Sequence, residues 1–147
     1  NNIKCLSFCG CSNLSEISVS EKNIYYDSRE NCNAIIETST NKLIRGGSNT
    51  IIPSSIVSIG NSSFSYCHEL TEIYLPDNIE SIGYRAFYNC SLLKNIRFPN
   101  NKCYIYNHAF KDCPQLIGID VPKHIYGDGV RDLKNSINAP KSAQRTD

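Results

Sequence analysis

The chain has 147 residues, 40% hydrophobic and 20% charged, with a formal net charge of +1. That balance excludes a compositionally disordered chain, and it supplies no bulk positive charge for nucleic acid or an anionic membrane surface. The length suits one domain, and no apolar stretch approaches the roughly 18 residues of a membrane-spanning helix.

The chain opens on "NNIKCLSFCG", without Met, and reads as a mature or trimmed piece. Its first residues carry half of a pattern that recurs later: Phe8, Cys11, Leu14, Ile17 and Val19. From Val19 to the matching Ile52 the interval is 33 residues, ten more than the period of 23 seen downstream. The extra residues lie within "NCNAIIETSTNKLIRGGSN". Two apolar runs, Ala34–Ile36 and Leu43–Ile44, flank Thr38–Asn41, which predicts a β-hairpin with a four-residue connection. Gly46 and Gly47 return the chain to the repeat path. Residues 20–53 are thus an expanded repeat with an inserted hairpin.

Three regular repeats follow, at 56–78, 79–101 and 102–124. Shifting the sequence by 23 aligns Ile59, Ile82 and Ile105, then Phe64, Phe87 and Phe110. Cys67, Cys90 and Cys113 form the next column, followed by Leu70, Leu93 and Leu116, and by Ile73, Ile96 and Ile119. Leu75, Phe98 and Val121 precede Pro76, Pro99 and Pro122. Within each copy, the spacing Leu-x-x-Ile-x-Leu-Pro predicts a short strand with alternate side chains inward, closed by a proline that has no N–H to donate. A 23-residue unit cannot bury its apolar face alone. Stacking buries it, with each strand paired to its counterpart in the next unit.

After Pro122 the pattern decays, and Asp128 stands where the isoleucine column would continue. Val130, Leu133 and Ile137 fall at i, i+3 and i+7, which predicts a short amphipathic helix. We assign residues 125–137 as a C-terminal cap, since a terminal repeat needs a polar outer cover. Residues 138–147 read as a tail, and 1–137 as a single domain.

These residues resemble the BspA-like class of bacterial leucine-rich repeats, which reads roughly I-x-x-I-G-x-x-A-F-x-x-C-x-x-L-x-x-I-x-x-P. Ile79, Ile82, Gly83, Ala86, Phe87, Cys90, Leu93, Ile96 and Pro99 match it, and the likeness covers about residues 5–125. Ser63 replaces the alanine in one copy and Tyr106 replaces the glycine in another. The resemblance implies an α/β repeat solenoid, a right-handed superhelix of short parallel strands. It also implies a protein exported to the bacterial surface or beyond, acting as an adhesin toward host matrix proteins or other cells.

The cysteine column invites a disulfide or metal reading. Residues repeating at one solenoid position point the same way about 5 Å apart, beyond the ~3.8 Å between Cβ atoms that a disulfide wants. A parallel ladder does not converge on a metal either. Cys67, Cys90 and Cys113 therefore read as small buried hydrophobes, with Cys11 starting the ladder. Cys5, Cys9, Cys32 and Cys103 lie off it, and one disulfide among them is compatible with export. His68, His108 and His124 share no motif, and nothing resembles H-E-x-x-H or G-x-S-x-G. "RGGSN" lacks the Lys-Ser/Thr of a phosphate loop. No catalytic residue, cofactor or metal site is expected.

Function then falls to the strand face that alternates away from the core. Its positions are Glu16 and Ser18, Asn49 and Ile51, Glu72 and Tyr74, Asn95 and Arg97, Gly118 and Asp120. Tyr and Arg are enriched among interface hot spots, so Glu72, Tyr74, Asn95, Arg97 and Asp120 are the candidate partner-binding residues. The inserted hairpin is a second candidate, or else a shield for a sheet edge. The expected protein is a monomeric, non-catalytic binding module for a protein or host-matrix macromolecule, extracellular or on the cell surface. It inserts in no membrane and takes no nucleic acid. The alternative is a structural spacer or capping fragment of a longer surface array.

Overall fold

A computed structural model describes residues 3, 4, 7, 8, 11 and 14–137. The tail at 138–147, Cys5 and Cys9, and the side chain of Ile137 lie outside the described residues.

Strand β1 (Tyr26–Asp27) leads through a 3-10 turn to the hairpin strands β2 (Ala34–Glu37) and β3 (Lys42–Gly46). Then come β4 (Ser58–Ile59), β5 (Glu72–Tyr74), β6 (Ser81–Ile82), β7 (Asn95–Arg97), β8 (Cys103–Ile105), β9 (Ile125–Tyr126) and helix α1 (Val130–Ile137). They form two sheets. One has seven strands in the order β1-β2-β3-β4-β6-β8-β9, and the other has β5 and β7 alone.

The register is the sequence period made visible. In the long sheet Ile59 pairs with Ile82 and Ile82 with Ile105, all parallel. In the small sheet Glu72, Ile73 and Tyr74 pair with Asn95, Ile96 and Arg97. The hairpin is antiparallel within itself, and its strand β3 takes the place of a rung, pairing parallel to β4 through Leu43 and Ile59. The long sheet runs through an isoleucine column for which the sequence suggests only a core role. Its regular strands are two or three residues long, too short for alternation to show in the sequence.

The third side of each rung has no strand, yet its backbone is also laddered. Ser62, Phe64 and Tyr66 donate N–H groups to the carbonyls of Tyr84, Ala86 and Tyr88 at 2.9, 2.7 and 2.8 Å. Phe87 and Asn89 repeat this toward Ala109 and Lys111. The turn that allows it places Ser62, Arg85 and His108, and again Tyr66, Asn89 and Asp112, at φ of 53–61°. Asn and Asp enter this left-handed region most readily, and Asn89 and Asp112 are the residues whose type foreshadows it. Tyr66 and Arg85 give no such sign.

Inside these three walls the phenylalanine column is a stack. Phe64 and Phe87 lie 4.9 Å apart and 7° from parallel, and Phe87 and Phe110 lie 5.1 Å and 1° apart. All three are buried, as are Cys67, Cys90 and Cys113. The thiols do more than fill space. Cys90 Sγ donates to the Phe64 carbonyl at 3.1 Å, and Cys113 Sγ to the Phe87 carbonyl at 3.0 Å. Each cysteine thus hydrogen-bonds the rung before it. Cys11, expected to start this ladder, is exposed instead. The first half-copy packs by Ile17 against Tyr26 and Ile35, in a cluster separate from the main core.

The stack ends differently at its two sides. Gly46 occupies the position before Phe64, donating to the Ser63 carbonyl at 2.9 Å, and a Cβ there would overlap the Phe64 ring. After Phe110 the turn side has no further rung among the described residues, although β9 continues the long sheet, and the Phe110 N–H goes to the carboxylate of Asp132 in α1. Val130 and Leu133 of that helix are buried in the main core.

Ser63 stands in the column held elsewhere by Ala86 and Ala109, fully buried, and its Oγ has no hydrogen-bond partner among the described residues. A buried hydroxyl without a partner costs about 1–3 kcal/mol. Ser63→Ala should therefore raise unfolding stability by about 1 kcal/mol, whereas Phe87→Ala in the middle of the stack should lower it by about 3–5 kcal/mol. Urea denaturation of both variants measures this, and an unchanged or lower midpoint for Ser63→Ala would contradict the first expectation.

Candidate protein-interaction face

A second face, apart from the long sheet, is built by β5 and β7 with the irregular segment at 48–52 beside them. Ile73 points inward and is buried, while Ile96 packs partly buried on the core. Their neighbours therefore point outward by the alternation of a strand. Glu72, Tyr74, Asn95 and Arg97 are exposed. Together with Ser48–Ile52 they line an open groove of about 560 Å³. Four of the five candidate residues thus meet, and Asn49 and Ile51 join them.

Asp120 does not. It is exposed, but residues 118–120 form no strand and do not line the groove. The reason is Gly118, which occupies the position of Glu72 and Asn95 and has φ of +67°. A strand needs extended backbone at negative φ, so the small sheet stops at β7. Glu16 and Ser18 are exposed on the docked N-terminal segment, outside the groove.

Within the groove Arg97 holds its guanidinium 4.2 Å from the centre of the Tyr74 ring. It also meets Asp77 at 3.7 Å, with both side chains nearly half exposed. At that distance and exposure the ion pair contributes little. The Asn100 backbone N–H, donating to Asp77 Oδ1 at 3.0 Å, is the main reason that carboxyl sits below its ordinary range. Ile51 and Tyr74 are 79% and 58% exposed, large apolar surfaces open to solvent even with the Arg97 guanidinium on the Tyr74 ring.

The hairpin, the other candidate, is anchored into the fold. Arg29 gives Nε and Nη2 to the two oxygens of Asp27 at 2.8 and 2.7 Å. Its Nη1 reaches Asn41 at the hairpin turn and Ser55 in the next rung, and Thr38 donates to Asp27 at 2.7 Å. Arg29 holds the Asp27 carboxyl down to about 2. The hairpin covers the β4 edge of the long sheet, the shielding role that an edge strand calls for.

A second aromatic surface, not anticipated from the sequence, lies on the turn side. Arg85 sits between Tyr84 and Tyr88 at 5.2 and 4.8 Å, and Tyr88 meets Tyr66 edge-on at 5.5 Å. These residues occupy different columns of the repeat, so no periodicity connects them.

Cys32, Cys67, Cys90, Cys103 and Cys113 are free and buried, which removes the disulfide pairing open to Cys32 and Cys103. Burial pushes the thiols of Cys32 and Cys67 up, and that of Cys103 to about 12. The neighbouring Cys113 thiol, then burial, raises Cys90. Among the described residues no three His, Cys, Asp or Glu side chains are placed to hold a metal, and no helix is long and apolar enough to cross a membrane.

A stack of parallel rungs with inward aliphatic columns and an open outer strand face marks the leucine-rich-repeat class. A family model described as "BspA type Leucine rich repeat region (6 copies)" matches residues 44–138, and the chain belongs to that family. Such repeats are generally binding scaffolds without catalysis. No curated protein and no solved structure matches the chain.

Two measurements check this picture. In native protein at pH 8, iodoacetamide should modify Cys11 and leave Cys67, Cys90, Cys103 and Cys113 untouched until denaturant is added. Rapid native labelling of those four would overturn their assignment as buried thiols. The Asp27 carboxyl has a lower pKa folded than unfolded, so its contribution is present above about pH 4 and lost as the pH falls toward 2. Asp27→Asn should then be less stable than the parent at pH 7, with the difference disappearing near pH 2. A pH-independent difference would show that the charge is not what holds the hairpin.

Proposed function

We propose that this chain is a non-catalytic protein-binding module whose docking face is the groove of Glu72, Tyr74, Asn95 and Arg97. The observation that carries the reading is the row formed by exposed Ile51, exposed Tyr74 and the Arg97 guanidinium on the Tyr74 ring. Tyr and Arg supply much of the energy of protein interfaces. A face that leaves such side chains largely exposed suits a partner better than it suits water. Asp120 lies outside the reading.

Family membership supports the rest. We place the protein at the cell surface or outside the cell, as a monomer that contacts host or cell-surface macromolecules in the manner of an adhesin. The rungs form one domain over residues 1–137 and coil as a right-handed superhelix. Helix α1 acts as its cap, taking the Phe110 N–H that has no further rung to bond.

The test is binding of the purified domain to a panel of immobilised extracellular-matrix proteins, with and without Tyr74→Ala and Arg97→Ala together. We expect at least one saturable interaction, weakened tenfold or more in the double variant, as loss of about 1.4 kcal/mol at an interface centre gives. Unchanged affinity in the double variant would sink the choice of face.

A further inference from the structure

The register of the groove specifies more than a sticky patch. Strand pairing places Tyr74 beside Arg97 and Glu72 beside Asn95, and Ile51 and Asn49 hold the equivalent positions one rung earlier. Two sets of outward side chains result, paired in β5 and β7 and extended by the irregular segment that lines the same groove. One reads Ile51, Tyr74, Arg97: aliphatic, aromatic, cationic. The other reads Asn49, Glu72, Asn95: amide, carboxylate, amide. Paired strands such as β5 and β7 lie about 4.8 Å apart, and outward residues two positions apart on one strand about 7 Å.

The two sets differ from comparable residues elsewhere in what holds them. Away from the groove, asparagines stitch the rungs together. Asn61 takes the Tyr84 N–H at 2.9 Å, Asn78 donates to the Ser54 carbonyl at 2.7 Å, and Asn101 to the Asp77 carbonyl at 3.1 Å. In the groove the side chains of Glu72 and Asn95 make no hydrogen bond among the described residues, and that of Asn49 makes only one, at 3.5 Å to Ser15. A carboxamide offers both a donor and an acceptor, matching the N–H and C=O of a peptide unit. The polar set thus presents free groups suited to a main chain. The other set presents an apolar step and then a cation whose ion pair, with Asp77, is long at 3.7 Å.

We propose that the groove binds an extended peptide segment that carries an apolar side chain and a carboxylate two positions apart. The proposal rests on the docking-face reading above and narrows it. The peptide lies across the rungs. Its apolar side chain covers Ile51 and Tyr74, its Asp or Glu meets Arg97, and Asn49, Glu72 and Asn95 take its backbone. Two residues of extended chain span about 7 Å, enough to set the apolar side chain on the Ile51 side of Tyr74 while its carboxylate reaches Arg97.

The experiment pans a displayed library of random twelve-residue peptides over the immobilised protein, with an Ile51→Ser, Arg97→Glu variant for counter-selection. Unchanged circular dichroism and urea midpoint confirm that the variant is folded. Enriched sequences should share an Asp or Glu two positions from an aliphatic or aromatic residue. A synthetic peptide of that consensus should bind at least tenfold more weakly to Arg97→Glu and more weakly as salt rises. Replacing its acidic residue with Lys should restore binding to Arg97→Glu. No enrichment, enrichment of basic peptides, or equal binding to the variant would overturn the proposal. If a matrix protein still loses affinity on the Tyr74→Ala, Arg97→Ala double change while no peptide is selected, the face recognises a folded surface. The docking reading then stands and the peptide reading falls.

Discussion

Every rung must place the same atoms one strand spacing beyond the last, and the phenylalanine stack enforces it. Two rings held 4.9–5.1 Å apart and within 7° of parallel leave no room for a shift of register. Once Phe64, Phe87 and Phe110 are in line, the isoleucines at 59, 82 and 105 fall into one sheet and those at 73 and 96 into another. The cysteine thiols reinforce the same spacing, since each reaches a carbonyl beside the previous ring. Cysteine suits that place because it is small enough to be buried and still donates a weak hydrogen bond. Alanine would fill less and donate nothing.

A stack so constrained has a problem only at its ends, and the two ends solve it with unlike chemistry. At the first, the hairpin strand β3 supplies backbone groups for the next rung while Gly46 removes the side chain that would collide with Phe64. At the last, a side-chain carboxylate stands in for the absent backbone carbonyl. Asp132 is buried enough for its carboxyl to be raised above the ordinary range, a cost that the hydrogen bond from Phe110 offsets.

The interior was legible in the sequence because repetition amplifies it. A single Phe-x-x-Cys says little, whereas three copies at a fixed period specify a stacked core. The ends and the outward details do not repeat, so they carry no such signal. Cys11 matches the column by spacing yet is exposed, since the first half-copy packs by Ile17 on the hairpin rather than on the stack. Asp132 has no counterpart in other rungs because no other rung lacks a successor. Tyr66 and Arg85 adopt left-handed backbone that their residue types do not favour, held there by the ladder on either side.

Gly118 shows how one residue can set the limits of a working surface while leaving the fold intact. Leu116 beside it remains fully buried and Ile119 still packs on the core, so the inward pattern survives. Only the extended backbone is lost, and with it the outward projection of Asp120 as a third member of the row. The groove is therefore three rungs wide, from Asn49 and Ile51 to Asn95 and Arg97. Within those rungs Ile73 and Ile96 are the same residue, while the outward pairs Glu72 and Asn95, and Tyr74 and Arg97, are unlike. Exposed positions away from caps and turns usually alter stability by less than about 0.5 kcal/mol. Folding alone thus leaves these four residues nearly free, and the chemistry placed there is open to selection by whatever the groove contacts.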